Sequence, residues 1–306
     1  MDAPAPSTTG TSGLPALVFG AFVTPTAADP SATVALAVEA ERAGLDLVTF
    51  QDHPYQPAFL DTWTLLSYVA ARTERVHLAP NVASLPLRPP AVLARAAASL
   101  DLLSEGRVEL GLGAGAFWDA IAAMGGPRRT PGEAVTALDE AIEVIRGVWA
   151  DDERSRLRVD GEAYRLDGAK RGPAPAHPVG LWLGAYKPRM LRLVGAKADG
   201  WLPSLGYLDS LRDLDEGHRR IDDAAHAAGR DPRAVRRLLN VGGRFTEGDG
   251  GFLVGPPRQW AEQLAGLALE HRVTGFVLAA DDGDVLRRYG AEVAPVVREL
   301  VASSGA

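Results

Sequence analysis

Eight times along this chain a short apolar run gives way to a longer stretch with helical periodicity, and no other property of the sequence restricts the fold so strongly. The apolar runs occupy residues 16–22, 45–50, 76–80, 107–112, 179–183, 200–203, 237–241 and 275–279. Helical patterns follow them at 30–43, 61–72, 89–103, 130–149, 187–197, 208–228, 257–269 and 282–301. Strict alternation places the strands in a parallel sheet with helical crossovers, and strands covered on both faces read as nearly unbroken apolar runs. Eight such units favour closure into a single (β/α)8 TIM barrel over an open doubly wound sheet, and a barrel needs about 250 residues. The helix boundaries carry their own chemistry. Asp29-Pro30 supplies an N-cap and a first-turn proline, and Gly44 a stop. Thr130-Pro131-Gly132-Glu133 is a capping box, after which Val135, Leu138, Ile142, Ile145 and Trp149 share one helical face. Between the fourth and fifth units, runs at 157–159 and 164–166 flank Asp160-Gly161-Glu162 and predict a small hairpin outside the repeat.

With 306 residues and 46% hydrophobic content the chain can bury a large core. A net charge of -7 argues against nucleic acid as a partner, since phosphate binding needs a basic face. The absence of cysteine removes disulfides, thiolate nucleophiles, zinc ribbons and cluster ligands. Residues 1–14 are rich in Pro, Ser, Thr and Gly and read as a disordered tail rather than a signal peptide, leaving 15–306 as the barrel domain. No stretch reaches the roughly 18 apolar residues of a membrane helix, so a cytoplasmic protein is expected.

In such a barrel the chemistry sits at the C-terminal tips of the strands. The second tip offers Asp52-His53, the third Asn81-Val82 and the fourth Gly113-Ala114-Gly115. An imidazole beside a carboxylate forms an acid/base pair or a clamp on a polar ring, while the plainer alternative is a capped turn followed by a polar loop. The glycines let a backbone approach a ligand closely, or simply make a tight turn. They do not match a dinucleotide fingerprint, because the third glycine is missing and no helix pattern opens directly after them. Gly184-Ala185-Tyr186-Lys187-Pro188 leads into a helix, where amides, the positive helix end and Lys187 suit a phosphate, although a plain turn fits equally. His77, His177, His218, His226 and His271 are scattered without a paired ligand, so no metal is expected. No Gly-x-Ser-x-Gly elbow supports serine hydrolysis, and Trp118 is the tryptophan best placed to cover a ligand.

Taken in order, Gln51-Asp-His, Asp61-Thr-Trp-Thr-Leu-Leu, Ala71-Arg-Thr-Glu-Arg-Val, Arg88-Pro-Pro-Ala-Val-Leu-Ala, Leu102-Leu-Ser-Glu-Gly-Arg-Val-Glu-Leu-Gly-Leu-Gly-Ala-Gly and Ala198-Asp-Gly-Trp resemble the bacterial-luciferase-like flavin- or F420-dependent oxidoreductases. The similarity runs from about residue 17 to about residue 300. It implies a luciferase-like barrel that binds F420 or FMN at its mouth, F420 ahead of FMN, and that reduces or monooxygenates a small organic substrate. By the same resemblance His53 is the acid/base group with Asp52 orienting it beside the ring, and Phe22 also faces the cofactor. Asn81-Val82 is the expected non-proline cis peptide behind the ring. Gly113, Ala114, Gly115 and Ala116 approach the cofactor side chain, and Gly184, Ala185, Tyr186 and Lys187 its phosphate. A homodimer is implied, together with a separate reductase where reduced cofactor must be supplied. One departure stands out: several F420 reductases carry a proton-donating glutamate just after the glycine turn, where this chain has Ala116. That alanine keeps open a non-catalytic flavin-binding or scaffold barrel as the alternative.

Overall fold

The computed structural model describes residues 16–150 and 152–304, so the predicted tail at 1–14 lies outside the described residues. The first five strands are β1 (Val18–Val23), β2 (Leu47–Phe50), β3 (His77–Pro80), β4 (Ala83–Ser84) and β5 (Leu110–Gly113). The hairpin β6 (Leu157–Asp160) and β7 (Arg165–Ala169) follows, where the turn sequence predicts it. Next come β8 (Leu181–Leu183), β9 (Gly200–Trp201) and β10 (Arg236–Val241), an unanticipated short parallel pair β11 (Arg244–Phe245) and β12 (Val254–Gly255), and finally β13 (Gly275–Ala279). The barrel strands run in the order β3-β2-β1-β13-β10-β9-β8-β5-β4, all parallel. Leu78 closes the ring by donating to Arg107 O at 2.8 Å and accepting from Glu109 N at 2.9 Å. Nine strand segments fill eight barrel positions, because β3 and β4 are one strand interrupted at Asn81-Val82, whose peptide bond is cis as the resemblance implies. The chain is a closed, parallel (β/α)8 barrel.

The helices are α1 (Pro30–Arg42), α2 (Thr62–Ala70), α3 (Pro90–Leu103), α4 (Trp118–Ala123), α5 (Pro131–Trp149), α6 (Pro188–Lys197), α7 (Leu211–Ala227), α8 (Pro257–His271), α9 (Gly283–Arg288) and α10 (Ala294–Ser303). Their starts follow the caps: Asp29 and Asp61 accept from Ala32 N and Thr64 N, and Thr130 and Glu133 bond reciprocally. Two helices differ from the periodic reading. The one expected from 208 starts at Leu211, where Ser210 and Asp213 form a capping box, and a 3-10 turn occupies Leu205–Tyr207. The one expected over 282–301 is split by a wide π-type turn at Tyr289–Val293, where the buried Tyr289 hydroxyl donates to Phe276 O. A third departure is α4, which begins three residues past Gly115, where no helix pattern is evident.

Two apolar layers hold the barrel. Between sheet and helices lies the larger one, with Phe19, Phe50, Trp201, Trp260 and Tyr289 among its buried side chains. Inside the barrel Val18, Leu47, Ala79, Trp182, Leu202, Leu238 and Val277 pack together, with Phe22 and Val82 resting on them. The barrel is therefore filled rather than hollow, and this inner layer forms a floor beneath the strand tips.

Candidate active site

Above that floor the strand tips enclose a cavity of about 830 Å³, lined by every site residue that the sequence singles out: Phe22, Asp52, His53, Asn81, Val82, Gly113 to Ala116 and Gly184 to Lys187. Its size falls within the roughly 300–1,000 Å³ of small-molecule sites. Trp118, expected in a loop, lines it from the first turn of α4. Tyr55, Ser84, Ser204 and Asn240 line it too, and sequence reasoning missed them. Asn240 alone carried a signal, as a polar residue in the apolar run of β10.

The third strand tip is fixed from below by a buried polar network. Asn81 Nδ2 donates to Asn240 Oδ1 at 2.7 Å and to Thr49 Oγ1 at 3.2 Å. Asn240 Nδ2 returns a bond to Asn81 Oδ1 and reaches Ser204 Oγ, both at 3.2 Å, while Thr49 donates to Ala21 O. Five bonds thus tie the tips of β1, β2, β3 and β10 to one arrangement, and a satisfied buried network of this kind rigidifies what it holds. Opposite, glycine is required for steric reasons: a Cβ on Gly113 would lie 2.8 Å from Val82 Cγ2. Gly115 has φ of 102°, and its Cβ would come within 2.7 Å of Pro86 and 2.8 Å of Trp118.

The expected Asp52–His53 couple is not formed. The buried Asp52 carboxylate instead takes a two-pronged bond from Arg88, at 2.6 Å from Nε and 2.7 Å from Nη2, and accepts from Ser84 N at 2.8 Å. A planar guanidinium matches both carboxylate oxygens at once, which an imidazole cannot do, and this explains the correction. Arg88 extends the chain to Asp61, the N-cap of α2. His53 has a different partner, with its Nδ1 2.6 Å from the Tyr55 hydroxyl. Its ring also meets Phe117 edge-on at 5.7 Å between centroids. Burial lowers the His53 imidazole below its ordinary value of 6.5, opposed in part by the Asp52 charge. Burial and the same charge push the Tyr55 hydroxyl up to about 12. Neutral pH therefore finds a neutral imidazole beside a protonated phenol.

On the far wall, Lys187 occupies the N-cap of α6, and Ala185 is pinned where its carbonyl accepts from Trp201 Nε1 at 2.8 Å. The Tyr186 hydroxyl accepts from Ser204 N at 2.8 Å, and its ring stands edge-on to Tyr207. A cationic side chain at a helix N-terminus makes this wall electropositive, against a mostly apolar remainder.

A filled parallel barrel with a coenzyme-sized cavity at its C-terminal mouth defines a class of ligand-binding enzyme scaffolds. The luciferase-like monooxygenase family model matches residues 13–242, and the chain belongs to that family of oxidoreductases. At the sequence level it is similar to an F420-dependent glucose-6-phosphate dehydrogenase of Nakamurella multipartita, 33% identical over 229 residues, which cover 68% of this chain and 65% of that protein. Its fold is similar to that of an F420-dependent secondary alcohol dehydrogenase solved with an F420-acetone adduct, with a TM-score of 0.79 at 18% identity, covering 92% and 99% of the two chains. It is similar likewise to the EDTA monooxygenase of Chelativorans sp. BNC1, with a TM-score of 0.80 at 16% identity, covering 93% and 94%. Among the described residues no helix is long and apolar enough to cross a membrane.

Proposed function

We propose that the cavity binds a redox coenzyme of the deazaflavin or flavin type, F420 before FMN, beside a small organic substrate. The observation that carries this reading is the convergence on one cavity of a rigid third-strand tip, a glycine turn and a cationic helix start. Relatives named as F420-dependent dehydrogenases, at 31–33% identity, favour F420. The residues present fit such a group: Phe22, Val82 and Trp118 offer apolar surface to a flat ring, and Lys187 with the start of α6 offers positive charge to a phosphate. When bound, the coenzyme supplies hydride transfer or, as reduced FMN, reaction with oxygen.

The chain supplies position and protons. Asn81 and Val82 support the ring, Gly113 to Ala116 admit the coenzyme side chain, and Gly184 to Lys187 hold its anionic end. Tyr55 keeps its proton at neutral pH, and in the tautomer where its hydroxyl donates to Nδ1 of His53 the other imidazole nitrogen carries a proton and acts as a donor. With alanine at 116, proton delivery falls to this pair. Asp52 acts as a positioning residue through Arg88 and Ser84. Phe117 and Tyr207, both largely exposed at the rim, suit an apolar substrate. The reading includes a homodimer in the cytoplasm and, for FMN, a separate reductase.

The test is to mix the protein with reduced F420 and, separately, reduced FMN, and to follow absorbance with and without oxygen against a panel of aldehydes, ketones and alkenes. Substrate-dependent reoxidation that His53→Ala slows while coenzyme affinity persists supports the reading. Tight binding with no reoxidation by any acceptor supports the non-catalytic scaffold, and no binding refutes both.

A further inference from the structure

At the opposite ends of the same strands, three side chains turn toward one point. His77 opens β3, Glu109 immediately precedes β5 and His177 lies four residues before β8. The Glu109 side chain is fully buried, while the two imidazoles are 12% and 14% exposed. His77 Nδ1 lies 3.9 Å and His177 Nε2 3.6 Å from Glu109 Oε1, and all three atoms fall within 4.8 Å of one another. None of the three has a hydrogen-bond partner among the described residues. Glu109 Oε1 and His177 Nε2 face each other as a long ion pair short of hydrogen-bond contact, and His77 Nδ1 has no partner among the described residues, so the three atoms leave room for an occupant between them.

The rest of each side chain is held so as to aim the free atom. Glu109 Oε2 accepts from Gly180 N at 2.6 Å, leaving Oε1 exposed to the shared point. His177 Nδ1 bonds both oxygens of the buried Asp101, at 2.9 and 3.1 Å, and Asp101 is itself fixed by the amides of Val108, Ala176 and His177. A carboxylate on the far nitrogen of an imidazole is the usual support of a metal-ligating histidine. Against burial, Asp101 and Glu109 raise His177 to about 9.

We propose that His77, Glu109 and His177 bind one divalent transition-metal ion of the zinc class at the N-terminal end of the barrel. Two imidazole nitrogens and a carboxylate oxygen are a donor set that such ions favour, with water completing the shell. Bonds of about 2.0–2.2 Å require the three atoms to draw inward by only a few tenths of an ångström. The ion takes the place of the His177 proton, and the partly exposed imidazoles give it a way in. Arg107 leaves the cluster free by turning to the carbonyls of Ala70, Val76 and Ser104, whereas the charge of Arg236 reaches Glu109 and weakens the site. Lying away from the cavity, the ion clamps the starts of β3, β5 and β8 and stabilises the barrel rather than reacting.

Chelator-stripped, tag-free full-length protein is titrated near neutral pH with Zn²⁺ by calorimetry and with Co²⁺ by visible absorption. The proposal expects one ion per chain, cobalt ligand-field bands and a raised thermal midpoint. His77→Gln and His177→Gln each lower affinity at least tenfold and abolish the bands, and Asp101→Asn lowers affinity about 10–100-fold. Absence of saturable binding to the wild type overturns it, as does equal binding by both histidine variants. Anomalous scattering from zinc-soaked wild-type crystals decides the matter independently of how the variants fold, and no peak between the three side chains sinks the proposal.

Discussion

Replacing Arg88 by Met isolates the contribution of the ion pair that holds the second and third strand tips together. In the wild type Asp52 is 3% exposed and takes both prongs of Arg88, with Ser84 N as its third donor. Methionine preserves much of the apolar stem but leaves Oδ1 without its given partner and Oδ2 with Ser84 N alone. Asp61 also loses a bond, yet its side chain is 47% exposed and rehydrates, so its share is under about 1 kcal/mol. Stranding one partner of a buried pair costs about 3–5 kcal/mol. The retained Ser84 bond and the 15% exposure of Arg88, which lets water approach, place the expected loss near the lower end, about 3 kcal/mol. At roughly 2–4 °C per kcal/mol the thermal midpoint falls by about 6–12 °C. The assay is denaturant and thermal unfolding of wild type, Arg88→Met, Asp52→Asn and the double variant. The double variant carries no stranded charge and is expected to be less destabilised than the sum of the singles by at least about 1 kcal/mol. Because Ser84 lines the cavity, Arg88→Met also weakens coenzyme binding. A loss below about 0.5 kcal/mol, or strict additivity, refutes the assignment of Asp52 to Arg88.

Two further outcomes follow from the titrating groups. Since burial holds His53 below 6.5, an activity that needs the neutral imidazole declines as pH falls through that lowered value; Tyr55→Phe removes the phenol proton and lowers turnover without unfolding the chain, and a pH-rate profile identical to wild type contradicts the pairing. His218 is buried against Trp201 with neither ring nitrogen partnered among the described residues, and burial, aided by Arg237 and Arg272, pushes it down to about 3. Its folded value lies below its unfolded one, so the unfolded chain takes the proton first, and the stability present above about 6.5 is lost as pH falls toward 3. His218→Phe keeps the ring contact and removes two orphan atoms, so stability at neutral pH is unchanged or raised and its acid decline is flatter; a steeper decline in an unfolding series counts against this.

The barrel was legible because its evidence is local. Apolar runs, Asp29, Asp61 and the Thr130–Glu133 box each act within a few residues, and so do the strand tips that a closed parallel sheet must bring together. What stayed hidden depends on contacts across the barrel. Asp52 and His53 are neighbours in sequence and invite pairing, yet Arg88, 36 residues on, has the better geometry for a buried carboxylate. His77 and His177 look isolated along the chain, and only the register of β3, β5 and β8 sets them around Glu109. The wide turn at Tyr289–Val293 likewise coincides with a contact across the barrel, the Tyr289 hydroxyl bond to Phe276 O, which local periodicity does not reveal.

The account rests on coenzyme capture at the barrel mouth, and the most direct measurement is a pair of equilibrium titrations with F420 and FMN under identical conditions, repeated with Lys187→Ala. The prediction is one coenzyme per chain, F420 bound more tightly than FMN, and a loss of affinity for both on removing the Lys187 charge. Failure of either coenzyme to saturate the protein, or saturation that is indifferent to Lys187, contradicts it.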